Sequence, residues 1–159
     1  AGGQAYAEFT SIPSTYTHLQ IRAIARSDRA GVDYDSLNLR FNSDTSGSYT
    51  DHWLQGNGSS ATAGAEGASV TAITLYRTPG AAATGNVFGG TVIDILDYTN
   101  TNKYKTVRAL TGTDGNGSGV LSLGSGLWMK TNAISTIRLY AGASSNWVRY
   151  ATFALYGIK

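Results

Sequence analysis

The stretch from Thr91 to Leu110 limits the possible folds of this chain more than any other part of the sequence. It consists of an apolar run rich in Ile and Val, a polar turn of Thr and Asn, and a second run whose charges are opposite to those of the first. β-Branched residues favour strands, and a polar turn between two such runs is typical of a β-hairpin. The stretch therefore predicts a hairpin at the centre of an all-β domain.

One register of this hairpin satisfies its charges and its apolar residues together. We expect Asp94 to face Arg108 and Asp97 to face Lys105, because opposite charges directly across two strands are favourable. A shift by one residue would move every side chain to the other face. The same register gathers four apolar residues on one face: Ile93, Ile95, Val107 and Ala109. We therefore assign the four charged residues to strand pairing rather than to chemistry.

The rest of the chain predicts about ten short strands at the spacing of a sandwich or barrel. Two-residue alternation is clearest in the strand predicted over Thr17–Arg26 and in the one ending at Phe41. No segment shows the period of a helix. We predict a single domain over residues 1–159, folded as an antiparallel β-sandwich with a jelly-roll-like arrangement. An up-and-down barrel is the alternative.

The local composition of the sequence predicts where loops lie and which aromatic residues are buried. The Gly- and Ser-rich segment Gly56–Gly67 predicts a flexible loop, and Gly112–Gly119 predicts a turn. A strand is predicted over Ser69–Arg77, with four residues on one side: Val70, Ala72, Thr74 and Tyr76. Because Trp53 and Trp128 lie within strand patterns, we expect both in the core.

The charge content is low for a soluble domain. Charged residues make up 14% of the chain, against about 25% in a typical soluble domain. Small hydroxyl residues take their place, which suits a subunit packed among copies of itself or one outside a cell. The net charge is +2 and the basic residues are scattered, so nucleic acid is not an expected partner. Without cysteine, the chain has no disulfide or thiolate metal site, and no apolar run is long enough for membrane insertion.

One motif resembles half of a calcium-binding loop. Asp114, Asn116 and Ser118 stand at alternate positions, as the first oxygen ligands of such a loop do. The twelfth position of the loop would be Ser125 rather than a bidentate Glu, and no helix flanks the segment. A Gly-rich turn explains the same residues, so we predict neither a metal nor another cofactor.

No constellation for catalysis emerges from the residues. The two histidines, His18 and His52, lie on predicted strands, and although Asp51 precedes His52, no grouping of Ser, His and acid can be singled out. Asp94 and Asp97 stand three apart on a strand and therefore point to opposite faces, so they cannot act together on one substrate. We predict a protein that is not an enzyme. A polysaccharide depolymerase would need two acids, distant in sequence, that meet in the fold.

Aromatic residues in loops are the best candidates for ligand binding. The chain has ten tyrosines and three tryptophans, and exposed aromatic rings stack on the faces of sugars. Trp147, which follows a short Ser- and Asn-rich segment, and Tyr34, in an acidic loop, are the two we expect to be exposed. They predict a glycan site, and self-association through aromatic residues is the alternative.

Several segments together resemble a family of virion structural proteins from tailed bacteriophages. They are distributed over nearly the whole chain and comprise Phe9–Pro13 (FTSIP), Leu19–Arg22 (LQIR), Leu39–Asn42 (LRFN), Gly56–Ser59 (GNGS), Ile93–Ile95 (IDI), Tyr104–Thr106 (YKT), Ser125–Trp128 (SGLW) and Tyr156–Lys159 (YGIK). These segments fall on strands and turns and carry no catalytic residue.

The resemblance implies a repeated, non-enzymatic subunit on the extracellular face of a virion. A tail-fibre-type subunit that attaches to host glycans is the first expectation, and a capsid decoration or cement subunit, or a head fibre, is the second. Its partners would be copies of itself, with a trimer favoured, and other virion proteins. The resemblance also implies a further strand before Phe9, which is either missing here or supplied by a neighbouring chain.

Overall fold

The chain folds into two antiparallel β-sheets that pack face to face. A computed structural model describes residues 3–159. In that range the eleven strands, numbered in chain order, are β1 (Tyr6–Phe9), β2 (His18–Ala25), β3 (Tyr34–Phe41), β4 (Tyr49–Gly56), β5 (Ala61–Val70), β6 (Ile73–Pro79), β7 (Gly89–Leu96), β8 (Lys105–Asp114), β9 (Gly119–Trp128), β10 (Ile137–Ala141) and β11 (Thr152–Ile158). No helix in the described range is long and apolar enough to cross a membrane.

The two sheets differ in size. The smaller sheet has the strand order β1-β10-β3-β6, and the larger has the order β11-β2-β7-β8-β9-β4-β5. The chain crosses repeatedly from one sheet to the other, for example between β2 and β3 and between β5 and β6. The predicted all-β antiparallel sandwich is confirmed.

The core lies between the sheets and follows from the alternation of the strands. The larger sheet turns Leu19, Ile21, Ile93, Ile95 and Val107 inward, and the smaller sheet turns Leu37, Leu39, Ile73, Ile137 and Leu139 toward them. At one end Phe41 packs 5.6 Å from the ring of Trp128, and Tyr49 stacks on the same indole. The predicted burial of Trp128 is confirmed, whereas Trp53 is only half-buried, against the face of Tyr76.

The central hairpin has the predicted register, and one of its two predicted charge pairs is present. Asp94 lies directly opposite Arg108, and the guanidinium Nη2 donates to Asp94 Oδ2 at 3.2 Å. The predicted pairing of Asp97 with Lys105 is wrong. β7 ends one residue before Asp97, whose φ of 47° turns its side chain out of the ladder. Asp97 pairs with Lys103 within the loop instead.

Lys105 is buried rather than paired with a carboxylate. Its side chain is 0% exposed, and its ammonium donates to the carbonyl oxygens of Asn100, Lys103 and Thr131 at 2.6, 3.0 and 3.0 Å. Burial lowers the pKa of this lysine, and the positive charge of Lys103 lowers it further. The residue ties the β7–β8 loop to the segment that follows β9.

The region after β4 differs from the prediction. The loop predicted over Gly56–Gly67 is largely strand β5, which pairs with β4 along its length. The small residues of β5 show no alternation of apolar and polar side chains, but they fit beneath the side chains of neighbouring strands. A Cβ added at Gly64 would lie 2.5 Å from the ring of Trp53. The strand predicted over Ser69–Arg77 is divided between the end of β5 and β6, and in β6 Ile73 and Leu75 face the core.

Candidate functional site

A cleft opens at the end of the sandwich where β3 begins and β4 ends. We call it the Tyr34 cleft. It has a volume of about 380 Å³ and is lined by Tyr34, Gln55, Asn57, Arg77 and the β8–β9 turn with its flanking residues, Gly117–Val120. Four separate parts of the chain supply this lining, so the fold alone brings these residues together. The size is within the range of cavities that hold small ligands.

Arg77 is held in the cleft by two neighbours. Its Nε donates to the side-chain oxygen of Gln55 at 2.9 Å, and its guanidinium carbon lies 5.8 Å from the centre of the Tyr34 ring. In the described part of the chain, no hydrogen bond or ion pair occupies its terminal amino groups. A guanidinium fixed at one nitrogen keeps two parallel donors for a carboxylate or phosphate. The cleft thus combines an aromatic ring with a planar cation.

Asn57 and Ser118 line the cleft from two tight turns. The amide oxygen of Asn57 accepts from the backbone nitrogens of Ser59 and Ser60 at 3.0 and 2.9 Å, which shapes the β4–β5 loop. The amide nitrogen of Asn57 is then the group that can donate to a ligand. Ser118 is exposed at the end of the β8–β9 turn. Both side chains suit hydrogen bonding to hydroxyl groups.

Tyr34 also borders a second, smaller cavity. This cavity has a volume of about 190 Å³ and shares Tyr34 and Ser118 with the cleft. Its remaining walls come from the β6–β7 loop (Ala82–Thr84 and Val87), from Asp33, and from Thr113 and Gly115 beside the β8–β9 turn. The ring therefore stands between two depressions. The prediction that Tyr34 lies in a loop is wrong by a small margin, because it is the first residue of β3, and it is half-buried.

The second predicted ligand-binding residue lies elsewhere and is buried. Trp147 is 2% exposed, packs 5.3 Å from the ring of Phe153, and donates from Nε1 to the carbonyl oxygen of Leu139 at 3.2 Å. Its backbone also exchanges hydrogen bonds with Gln4, at 3.0 and 2.7 Å. The expectation that Trp147 is exposed is therefore wrong. Its sequence neighbours are polar, but its ring packs on Phe153 of β11 and its backbone pairs with Gln4.

The residues of the calcium-like motif form a hairpin turn. Asp114 Oδ1 accepts from the backbone nitrogen of Asn116 at 3.0 Å, and the nitrogen of Gly115 donates to the carbonyl of Ser118. Asn116 and Gly117 have φ values of 62° and 94°, as a tight hairpin turn of the primed type requires. Within residues 3–159 no group of three or more His, Cys, Asp or Glu side chains is arranged to hold a metal ion.

The fold brings together a pair of carboxylates that the sequence did not reveal. Asp51 on β4 lies directly opposite Glu66 on β5. Asp51 is 1% exposed; its Oδ2 accepts from the backbone nitrogen of Thr74 at 2.8 Å, and its Oδ1 has no hydrogen-bond partner among the described residues. Burial raises the pKa of Asp51, and the nearby charge of Glu66 adds to the effect. Glu66 accepts a hydrogen bond from the Tyr76 hydroxyl at 2.7 Å.

This acidic pair does not face a cavity that a polymer could enter. Neither Asp51 nor Glu66 lines any of the cavities described here. The adjacent His52 is exposed on the opposite face of β4, so it cannot work with Asp51. His18 is engaged at the other end of the larger sheet, where its Nδ1 accepts from the backbone nitrogen of Asp97. The pair therefore lies at the edge of the larger sheet and is not part of the cleft.

The cleft was only partly predictable from the sequence. It singled out Tyr34 but not Gln55 or Arg77, which lie 22 residues apart in sequence and are joined by one hydrogen bond. The position of Arg77 just before the Pro79-Gly80 turn was the available clue. Comparison with models of protein families, with curated protein sequences and with solved structures finds no match to this chain.

Proposed function

We propose that this protein is a bacteriophage virion structural subunit of the tail or fibre type, and that it attaches to host-surface glycans through the Tyr34 cleft. The observation that carries this proposal is the pairing of the Tyr34 ring with the oriented guanidinium of Arg77 in an open cleft. The resemblance to phage virion proteins supports the biological setting. We place the protein on the extracellular face of the particle, as a homo-oligomer in contact with other virion proteins.

The chemistry of the cleft favours a glycan that carries a carboxylate. An aromatic ring can stack on the apolar face of a sugar, and the free edge of Arg77 can bind a carboxylate with two parallel hydrogen bonds. Gln55 and Asn57 add amide groups that can bond to hydroxyls. Acidic polysaccharides of a bacterial surface have this combination of features.

Binding is favoured over catalysis. The cleft contains no acidic side chain among its lining residues, whereas hydrolysis of a glycosidic bond uses two carboxyl groups on either side of that bond. The carboxylate pair of Asp51 and Glu66 is away from the cleft, and Asp51 is closed to solvent. Incubation of the protein with acidic polysaccharide should therefore release no reducing ends.

The test is a binding measurement on an array of acidic and neutral bacterial oligosaccharides, followed by titration calorimetry on the best ligand. We expect Tyr34→Ala to weaken binding about tenfold, as the loss of one stacking contact of about 1.5 kcal/mol does. Arg77→Gln should weaken binding of acidic glycans by ten- to a hundredfold, because a hydrogen bond to a charged group contributes about 1.5–3 kcal/mol.

A matched control variant is available in the same protein. Tyr104 is 51% exposed in the β7–β8 loop and lines no part of the cleft. Tyr104→Ala should leave glycan affinity unchanged. If Tyr34→Ala and Arg77→Gln bind every glycan as the unaltered protein does, the cleft is not the attachment site.

The second candidate function is a capsid decoration or cement subunit. The low charge content of the chain favours it, since a surface of small uncharged residues suits permanent contact with a protein shell. Antibody labelling of virions distinguishes the two functions. Label on the tail supports attachment, and label over the capsid, with loss of capsid stability when the protein is removed, supports cement.

A further inference from the structure

The outer face of the larger sheet has two adjacent rows of residues with little polar character. The rows run across the six strands from β2 to β5, and each residue is paired directly with the next. The first row is Arg22, Val92, Leu110, Leu123, Leu54 and Ala63. The second row is Ile24, Gly90, Gly112, Leu121, Gly56 and Ala61. Only Arg22 among these twelve residues is charged, and it lies at the end of its row.

The large aliphatic side chains of these rows face solvent. Ile24, Leu54, Val92, Leu110, Leu121 and Leu123 are between 38 and 56% exposed. They lie side by side on one surface, whereas exposed apolar residues on a monomeric protein are usually scattered singly. A contiguous apolar patch of this kind indicates a surface that another molecule covers.

The glycines of the second row are not required by the fold of the single chain. Gly56, Gly90 and Gly112 all have φ outside the left-handed region. A Cβ added at Gly90 would meet no atom within 4 Å, and one at Gly112 would be in ordinary contact with Leu121 at 3.6 Å. Glycine weakens a strand, and inside a strand it often marks a close approach by another backbone or side chain. Here the space above the glycines is open on the outer side.

Each of these glycines has a large residue two positions before or after it on the same strand. The pairs are Gly90 with Val92, Gly112 with Leu110, and Gly56 with Leu54. A twofold axis that lies in the plane of this face and passes between the two rows exchanges the rows. Under that rotation Leu110 of one copy faces Gly112 of a second copy, Val92 faces Gly90, and Leu54 faces Gly56. On these three strands the face is therefore complementary to itself, with a side chain opposite a glycine. On the other three strands Leu121 faces Leu123, Ile24 faces Arg22 and Ala61 faces Ala63.

From this complementarity we propose that the outer face of the larger sheet is an interface with a second copy of this chain, related by a twofold axis. The two copies overlap over the six strands of the rows, about 4.8 Å apart, and over about six residues of each strand, about 20 Å, which gives a contact of roughly 600 Å² on each copy. A biological interface needs about 1,000 Å² in total, so a contact of roughly 1,200 Å² is large enough. Two such sheets would pack with their strands nearly aligned, as in a sandwich. None of the twelve residues in the two rows lines the Tyr34 cleft, and the interface does not depend on the proposed function.

The test is sedimentation equilibrium on the purified chain and its variants. The unaltered protein should have twice the chain mass of 16.7 kDa. Leu110→Asp places a charge in the interface and should give the monomer mass. Tyr104→Asp, on an exposed loop residue outside the face, should keep the dimer mass. Circular dichroism on each variant checks that the fold is intact.

The Gly112→Leu variant distinguishes this specific packing from non-specific hydrophobic association. Filling the hollow should raise the dimer dissociation constant at least tenfold if Leu110 of the second copy occupies it. The double variant Leu110→Ala with Gly112→Leu should restore association, because the large residue then stands on the other side of the same contact. A tighter dimer for Gly112→Leu, a trimer mass such as the sequence favoured, or a monomer at every concentration would overturn the proposal.

Discussion

The buried ammonium of Lys105 gives the sharpest test of how this fold is held together. The side chain is closed to solvent and its three N–H donors have three carbonyl partners, from Asn100, Lys103 and Thr131. Lys105→Met keeps the length and the apolar stem of the side chain but removes all three bonds. Two loops, the one before β8 and the one after β9, then lose the group that joins them.

The expected magnitude follows from the number of bonds. A hydrogen bond from a charged donor contributes about 1.5–3 kcal/mol, so three give about 5 kcal/mol at the low end. The cost of burying the ammonium offsets part of this gain, in line with the lowered pKa of Lys105. We expect Lys105→Met to reduce the free energy of unfolding by about 3 kcal/mol, a large part of the 5–15 kcal/mol typical of a domain.

Urea unfolding followed by tryptophan fluorescence measures this loss. The slope of the free energy against urea should be unchanged, so that the midpoint alone moves. Lys103→Met is the matched control, because it removes an exposed ion pair with Asp97, and exposed ion pairs contribute little to stability. If the two variants lose the same amount of stability, the carbonyl contacts of Lys105 do not stabilise the hairpin as argued.

Three further substitutions test buried contacts. Trp147→Ala should cost about 3–5 kcal/mol in urea unfolding, because it empties a large core site; a loss below 1 kcal/mol would contradict its burial. Partial burial would raise the pKa of Asp44, but hydrogen bonds from Ser46 and Trp128 outweigh it and hold this pKa at about 2. Asp44→Asn should therefore lower the free energy of unfolding by about 1 kcal/mol at pH 7. This difference in stability should vanish as pH falls from 4 toward 2. Burial raises the pKa of Asp51, so the stability that this residue contributes at low pH is lost as pH rises above about 4. The free energy of unfolding of Asp51→Asn should therefore rise relative to that of the unaltered protein between pH 3 and pH 7. A difference that does not change with pH would exclude this account.

The fold was predictable where side chains alternate strictly. The pattern of β2 and of β7 with β8 gave the strands, their inward faces and the Asp94–Arg108 pairing, since a slipped register would bury charge. β5 could not be predicted in this way. Its alanines and glycines carry no period, and it forms because β4 offers unpaired backbone groups along its edge.

The site was predictable only in part. A single aromatic residue, Tyr34, stood out in the sequence, whereas its partners depend on contacts across the end of the sandwich. Trp147 shows the opposite error, because its polar neighbours in sequence suggested a loop, whereas its ring packs on Phe153 and its Nε1 bonds to Leu139. Local composition describes the covalent neighbours of a residue and not the elements that pack on it.

The sequence by itself determined the class of fold, because period-two alternation of apolar residues can be buried only by a sheet that packs on another layer. It also determined the register of the central hairpin through opposed charges. The tertiary structure alone decided which residues of different strands share a surface: Tyr34 with Arg77 in the cleft, Asp51 with Glu66 at the sheet edge, and Leu110 with Leu123 and Leu54 on the outer face. All three depend on strand order, which is not encoded in local periodicity.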